Sequence, residues 1–266
     1  MELRVGDRPA YAYTGGKPFD AALPCIVFIH GALHDHGVWN LLARWYAHHG
    51  HSVLAIDQPG HGRTPGPPLD SVEALADFTL ALLDAAGVRR AALVGHSMGA
   101  LIALEAAART PERATRLVLL GVAVPMKVSP ALLATATEDP QRAIEQVNAW
   151  SHSSIAAKPA FPGPGNWLHG GNRALMRRNQ AADATINLFA HDFRVCDRYA
   201  GGLEAAARVT CPTTLVLGRL DQMAPPAGAR SLATALRARS VELPCGHALM
   251  QEAPDATLQA LRGALR

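Results

Sequence analysis

The run "ALVGHSMGAL" at 92–101 sets a serine, Ser97, between Gly95 and Gly99, where a strand-like apolar run stops and a helix-like one begins. A serine whose oxygen must be both exposed and held still can sit on such a sharp strand-to-helix turn. The turn needs small residues so that strand and helix do not collide. The helix behind it points its first amides at the serine, a place where negative charge is stabilised. A serine nucleophile also needs a base, and the base needs a residue that fixes its tautomer. Asp221 follows the run "TTLVLG" and His247 follows "SVELP", so the chain order is Ser, Asp, His. Taken singly, Asp221 is equally a carboxylate capping the helix near Pro225, and His247 equally a hydrogen-bonded structural histidine. Three such residues, each just after a strand-like run, point instead to acyl transfer through the serine.

The tetrahedral oxyanion of that chemistry needs donors. The amide of Met98, next to the nucleophile, is one, and the loop His30-Gly31-Ala32-Leu33 after the run "CIVFI" offers the amide of Ala32 as the second. Gly31 lets the backbone approach closely, and His30 supports the loop by hydrogen bonding.

These residues need a scaffold that gathers strand ends at one edge. Apolar or β-branched runs at 25–29, 52–56, 91–94, 116–120, 213–217 and 240–243 read as buried strands of a mostly parallel sheet. Segments 38–49, 72–86, 98–109, 225–236 and 254–265 carry apolar residues at helical spacing. Strand and helix in alternation predict an α/β, doubly wound fold, which binds its ligands beyond the carboxyl ends of the strands. Residues 122–206 break the alternation and read as a helical lid inserted into a core of 1–121 and 207–266. Within the lid, Met126, Trp150, Phe161 and Trp167 are candidates to roof a pocket above Ser97, or to form the lid's own small core. His34, just after the oxyanion loop, is a candidate to face substrate, while Trp39 reads as core.

Composition narrows the classes. With 266 residues, 49% of them hydrophobic, the chain can bury one large core. The formal charge of +3 comes from dispersed arginines without a basic run, which argues against a nucleic-acid partner. Residues 91–108 are long and apolar enough to suggest a membrane span, but His96, Ser97, Glu105 and interior glycines argue against one. Charges and glycines in "MELRVGDRPAYAYTGG" stand where a secretory signal needs an apolar core, so the cytoplasm is the default location. Cys25, Cys196, Cys211 and Cys245 form no C-x-x-C pair, in keeping with reduced thiols. His48, His49 and His51 suit a helix end, Asp57 to His61 reads as a structural turn, and no zinc-like spacing occurs.

"FIHGALHDHGVWNLLARWYAHHGHSVLAIDQPGHGRT", "LVGHSMGALIALEAA", "LVLGRLDQMAPP" and "LPCGHALMQEAPD" resemble the oxyanion loop, nucleophile elbow, acid loop and histidine loop of the α/β-hydrolase superfamily. The resemblance spans nearly the whole chain outside the lid. It implies Ser97 as nucleophile, His247 as general base, Asp221 as its orienting acid, Ala32 and Met98 as oxyanion donors, and no metal or organic cofactor. Ser97 sets aside the epoxide hydrolases and haloalkane dehalogenases, which have aspartate there. Carbon-carbon hydrolases usually carry Gly-Pro-Gly in the oxyanion loop and tryptophan after the histidine; Ala32-Leu33-His34 and Ala248 weaken that branch. Perhydrolases share the triad. Lys127 and Lys158 give little support to a hydroxynitrile lyase, and the lid's few acidic residues disfavour an aminopeptidase. The expected activity is hydrolysis of a small to medium, largely apolar carboxylic ester through an acyl-enzyme. The alternatives are carbon-carbon hydrolysis, perhydrolysis, or a non-catalytic small-molecule-binding protein of the same fold. The sequence leaves the oligomeric state open.

Overall fold

The structure, a computed structural model, describes residues 1–154 and 167–266. Phe161 lies outside the described residues. The strands are β1 (Glu2–Val5), β2 (Arg8–Tyr13), β3 (Cys25–Ile29), β4 (Ser52–Ile56), β5 (Ala91–His96), β6 (Ala114–Leu120), β7 (Thr213–Gly218) and β8 (Arg239–Leu243). They form one 8-stranded sheet in the order β1-β2-β4-β3-β5-β6-β7-β8. The β1–β2 hairpin joins antiparallel along β4, and every pairing from β4 to β8 is parallel. This is the α/β-hydrolase fold.

The predicted strands are all present, and their composition explains their place. β3, β4 and β5 are buried along their whole length, as strands covered by helices on both faces must be. Alternate residues go to opposite layers: Val27 and Ile29 join one core, Ile26 and Phe28 the other. The first core is closed by α2 (Val72–Ala85) and α3 (Met98–Arg109), through residues such as Leu82 and Ile102. The second is closed by α1 (Asn40–Ala47) and α10 (Pro254–Ala264), through Tyr46 and Leu261. The hairpin was not predicted. β1 is a half-exposed edge strand, so it lacks the continuous apolar run that marked the others. Two expected helices begin as 3₁₀ turns, His36–Trp39 ahead of α1 and Pro226–Ala229 ahead of α9 (Arg230–Ala235).

Between β6 and β7 run α4 (Pro130–Glu138), α5 (Pro140–Ser151), α6 (Leu168–Gln180), α7 (Leu188–Arg198) and α8 (Gly202–Arg208). Ser129, Asp139 and Asn187 cap α4, α5 and α7 with side-chain oxygens, and proline stands in the first turn of α4 and α5. α4 to α7 pack on one another around Leu132, Ile144, Met176 and Phe189. α8, which straddles the end of the 122–206 span read as lid, packs instead against α3 and α9 in the core layer. The apolar stretch 91–108 is strand, turn and helix. Among the described residues no helix is long and apolar enough to cross a membrane.

Candidate active site

Ser97 takes φ +54° and ψ −120° between the end of β5 and the start of α3. For a residue with a side chain this is a strained conformation, held here by its surroundings. Its N–H donates to the Leu120 carbonyl at 2.9 Å, and its own carbonyl accepts from Ala100 N–H at 2.8 Å. A Cβ on Gly95 would run into the Gly99 carbonyl, and one on Gly99 into the Ile29 carbonyl. The two glycines therefore permit the close approach of strand and helix that presents the serine. Ser97 is partly exposed, while its neighbours on both sides are buried.

His247 stands in the loop after β8, 7% exposed, and Asp221 in the loop after β7. His247 Nδ1 donates to Asp221 Oδ2 at 2.7 Å. The other oxygen, Oδ1, accepts from Met223 N–H and Ala224 N–H, each at 2.8 Å. Burial pushes the Asp221 pKa up, but the His247 charge, its hydrogen bond and these amides outweigh that and hold the carboxyl below its usual range. A carboxylate on Nδ1 keeps a proton there, so that Nε2 is the nitrogen left to accept one. His247 and Ser97 line the same cavity. No hydrogen bond joins them among the described residues, and such bonds often tighten only with substrate present.

The donors expected for an oxyanion lie beside them. Ala32 and Gly31 form part of the cavity wall. Met98 opens α3, so its amide is one that a helix leaves without an intrahelical acceptor, while its side chain is buried in the core. The helix N-terminus adds favourable potential for negative charge at this point.

The cavity holds about 250 Å³ and is lined mainly by apolar groups, among them Met126, Leu132, Val147, Trp150 and Phe193. Trp150 is at its rim, 38% exposed. Trp167 does not line it. That ring lies at the start of α6, tilted on His169 at 5.3 Å and under the Arg173 guanidinium at 5.4 Å. Of the two tryptophans that were candidates to roof the pocket, Trp150 is therefore in the described lining and Trp167, 42% exposed, is not. His34 lines the cavity, and its Nε2 is 2.9 Å from Asn172 Oδ1. Lys127, also in the lining, donates to the Asp197 carbonyl at 2.7 Å, so its cation is already partnered.

Sequence reasoning missed several supports. His96 Nε2 donates to the His247 carbonyl at 2.8 Å and tethers the histidine loop to the nucleophile turn. It stands in the quoted Gly-His-Ser run, yet nothing local reveals a partner 151 residues away. Asn172 joins His34 to Asn148 and Gln251, a polar cluster assembled from four separate segments. Asp35, His36 and Asp57 lie within ligand reach of one another. Their carboxylates are already occupied by Gly37 N–H, Arg178, His36 N–H and Arg63 N–H, which makes this a structural knot.

The buried histidines give the protein a pH signature. Burial, more than any neighbouring charge, pulls the His30 pKa down to about 4. Burial likewise lowers His34 and, further, His96. The unfolded chain takes up these protons below about pH 6.5, and the folded protein does not until lower pH, so stability falls as pH drops between those values. His30 alone accounts for about 3 kcal/mol by pH 4 at about 1.4 kcal/mol per pKa unit. His61 and His191, with raised values, act in the opposite window: their contribution is complete below about pH 6.5 and is lost as pH rises. Urea unfolding at pH 7 and pH 4.5 is therefore expected to show a loss of about 2 kcal/mol or more at the lower pH; equal stability would contradict neutral buried histidines.

The family described as "Alpha/beta hydrolase family" matches residues 26–260. The chain belongs to this family. It is 31% identical over 232 residues to the "Putative carbamate hydrolase RutD" of Klebsiella pneumoniae, covering 84% of both chains. Among solved structures it is similar to the enol-lactonase from Burkholderia xenovorans, with a TM-score of 0.83 at 23% identity over 100% of this chain and 99% of that one. It is also similar to an esterase from Exiguobacterium antarcticum, with a TM-score of 0.82 at 15% identity over 99% and 98%. The protein is a hydrolase of this fold.

Proposed function

We propose that the protein hydrolyses small to medium, largely apolar carboxylic esters through an acyl-enzyme on Ser97. The observation that carries this reading is the convergence on one apolar cavity of Ser97, on its strained turn, and His247, held by Asp221 at 2.7 Å. Ser97 Oγ attacks the ester carbonyl while His247 Nε2 takes its proton. Asp221 keeps the imidazole in the required tautomer and stabilises the imidazolium that forms. The oxyanion is held by the amides of Ala32 and Met98. As the tetrahedral intermediate collapses, His247 returns the proton to the departing alcohol. It then takes a proton from water, which attacks the acyl carbonyl; the acid leaves and Ser97 is restored. Each step moves protons between chain, substrate and water.

Substrate size and polarity follow from the cavity. A volume of about 250 Å³ suits a short acyl or alcohol group. Apolar walls and a partnered Lys127 offer no free charge among the described lining residues for an ionic substrate. Rates on esters of graded acyl length, alongside thioester, lactone and vinylogous diketone substrates, test the reading; it predicts highest kcat/KM on short esters. Because Trp150 is in the rim and Trp167 is outside it, Trp150→Ala is expected to shift acyl-length preference by about 1 to 3 kcal/mol, the scale of a few buried methylenes. Trp167→Ala should leave the profile unchanged. Equal profiles for Trp150→Ala and wild type would remove that tryptophan from the substrate site.

A further inference from the structure

Lid helix α7 reaches back to the loop that carries Ala32. Its Asp192 is 1% exposed, and Asp192 Oδ2 accepts from Leu33 N–H at 2.8 Å and from His61 Nε2 at 2.8 Å. Its other oxygen faces His191 Nδ1 at 3.2 Å. Leu33 has φ +58°, a left-handed conformation that leucine keeps only where its surroundings impose it. Its side chain is buried in the lid's core, and the preceding residue, Ala32, lies in the cavity wall with Ser97.

The other half of the contact is charged. His61 Nδ1 is 3.1 Å from the Pro59 carbonyl and Nε2 faces the Asp192 carboxylate, so both ring nitrogens meet acceptors and both carry protons. Burial pulls the His61 pKa down, but the Asp192 charge and the hydrogen bonds overcome it and hold it above its ordinary value. Burial raises Asp192 in turn, yet His61, His191 and the Leu33 amide keep it well below the usual carboxylate range. His30, whose ring centroid is 5.0 Å from that of His61, is neutral: its Nε2 accepts from Gln58 N–H and its Nδ1 donates to the Gly31 carbonyl. The oxyanion loop is thus gripped at His30 from the sheet side and at Leu33 from the lid side.

We propose that the buried His61–Asp192 ion pair positions the oxyanion hole: it fixes Leu33 N–H, hence the peptide plane that joins Ala32 to Leu33, and so holds Ala32 and its N–H in place. This deepens the esterase reading and rests on it. In the uncharged state of the substrate carbonyl the direction of one amide matters little. In the tetrahedral state, where charge sits on oxygen, it matters a great deal. Asp192 is therefore a positioning residue, acting on turnover more than on substrate binding, and the lid that carries it is part of the catalytic frame.

Asp192→Asn keeps the shape and an oxygen for Leu33 but removes the charge; Asp192→Ala removes both. With a short-chain nitrophenyl ester, and kcat normalised to active sites titrated by a fluorophosphonate, Asn should lower kcat about tenfold and Ala about a hundredfold, with KM within about twofold. Affinity for an alkyl trifluoromethyl ketone, whose adduct on the serine carries the oxyanion, should fall by the same factor in each variant. If the Ala variant does not fold, the Asn variant carries the test. Lower thermal stability with wild-type kcat and wild-type ketone affinity would overturn the proposal, since a merely structural pair gives that result. Ser97→Ala is run beside them. Its inactivity with unaffected Asp192 variants sinks the clamp alone, whereas an active Ser97→Ala sinks the esterase reading beneath it.

Discussion

Ser97→Ala is expected to lower kcat by about 10⁴ to 10⁶ while the protein stays folded. The loss is large because the covalent route disappears entirely: no other hydroxyl replaces Oγ on the turn between β5 and α3. The fold survives because the strained φ of +54° is held by backbone bonds to Leu120 and Ala100, and alanine has no larger side chain to place. What remains is binding and the oxyanion donors, which alone give about 10³ to 10⁴ over water. The measurement is steady-state hydrolysis of a short ester, with circular dichroism and thermal unfolding to show the fold intact. A variant retaining a tenth of wild-type kcat would remove Ser97 from the reaction.

Asp221→Asn is expected to cost about 10⁴ in kcat, through the tautomer and not through lost shape. In the wild type, Asp221 Oδ1 accepts from two amides, those of Met223 and Ala224. An asparagine satisfies them only by placing its oxygen there, which turns its NH₂ group toward His247 Nδ1. Two donors cannot face each other, so His247 must carry its proton on Nε2, where it can no longer accept one from Ser97. His247→Ala removes the base outright and should cost about as much as Ser97→Ala, because the two act as a unit. An Asp221→Asn enzyme within tenfold of wild type would contradict the assigned tautomer.

Much of this was legible in the sequence because it rests on local chemistry. The buried strands show continuous apolar runs, and glycines flank Ser97 where strand and helix must touch. Asp221 and His247 follow strands in readable order, so the fold's gathering of strand ends brings His247 to the cavity of Ser97, with Asp221 bonded behind it. The edge hairpin escaped notice because β1 is half exposed and β2 pairs with β4 from outside the parallel register. The helical insertion was legible only as an interruption. Nothing in the spacing of Trp150 and Trp167 tells which helix face meets the cavity, since that depends on how α5 and α6 pack. Likewise Asp192 reads as an ordinary polar position of α7, because its partners Leu33 and His61 lie 159 and 131 residues away. Long-range polar contacts of this kind have no periodicity to betray them.

The most direct measurement is treatment of the intact protein with a fluorophosphonate, followed by peptide mass spectrometry. A serine activated by His247 and backed by two oxyanion amides should be phosphonylated stoichiometrically at Ser97, with parallel loss of ester hydrolysis and no labelling in Ser97→Ala or after unfolding. An unlabelled Ser97 in folded protein, or ester hydrolysis that persists after full labelling, would contradict the account.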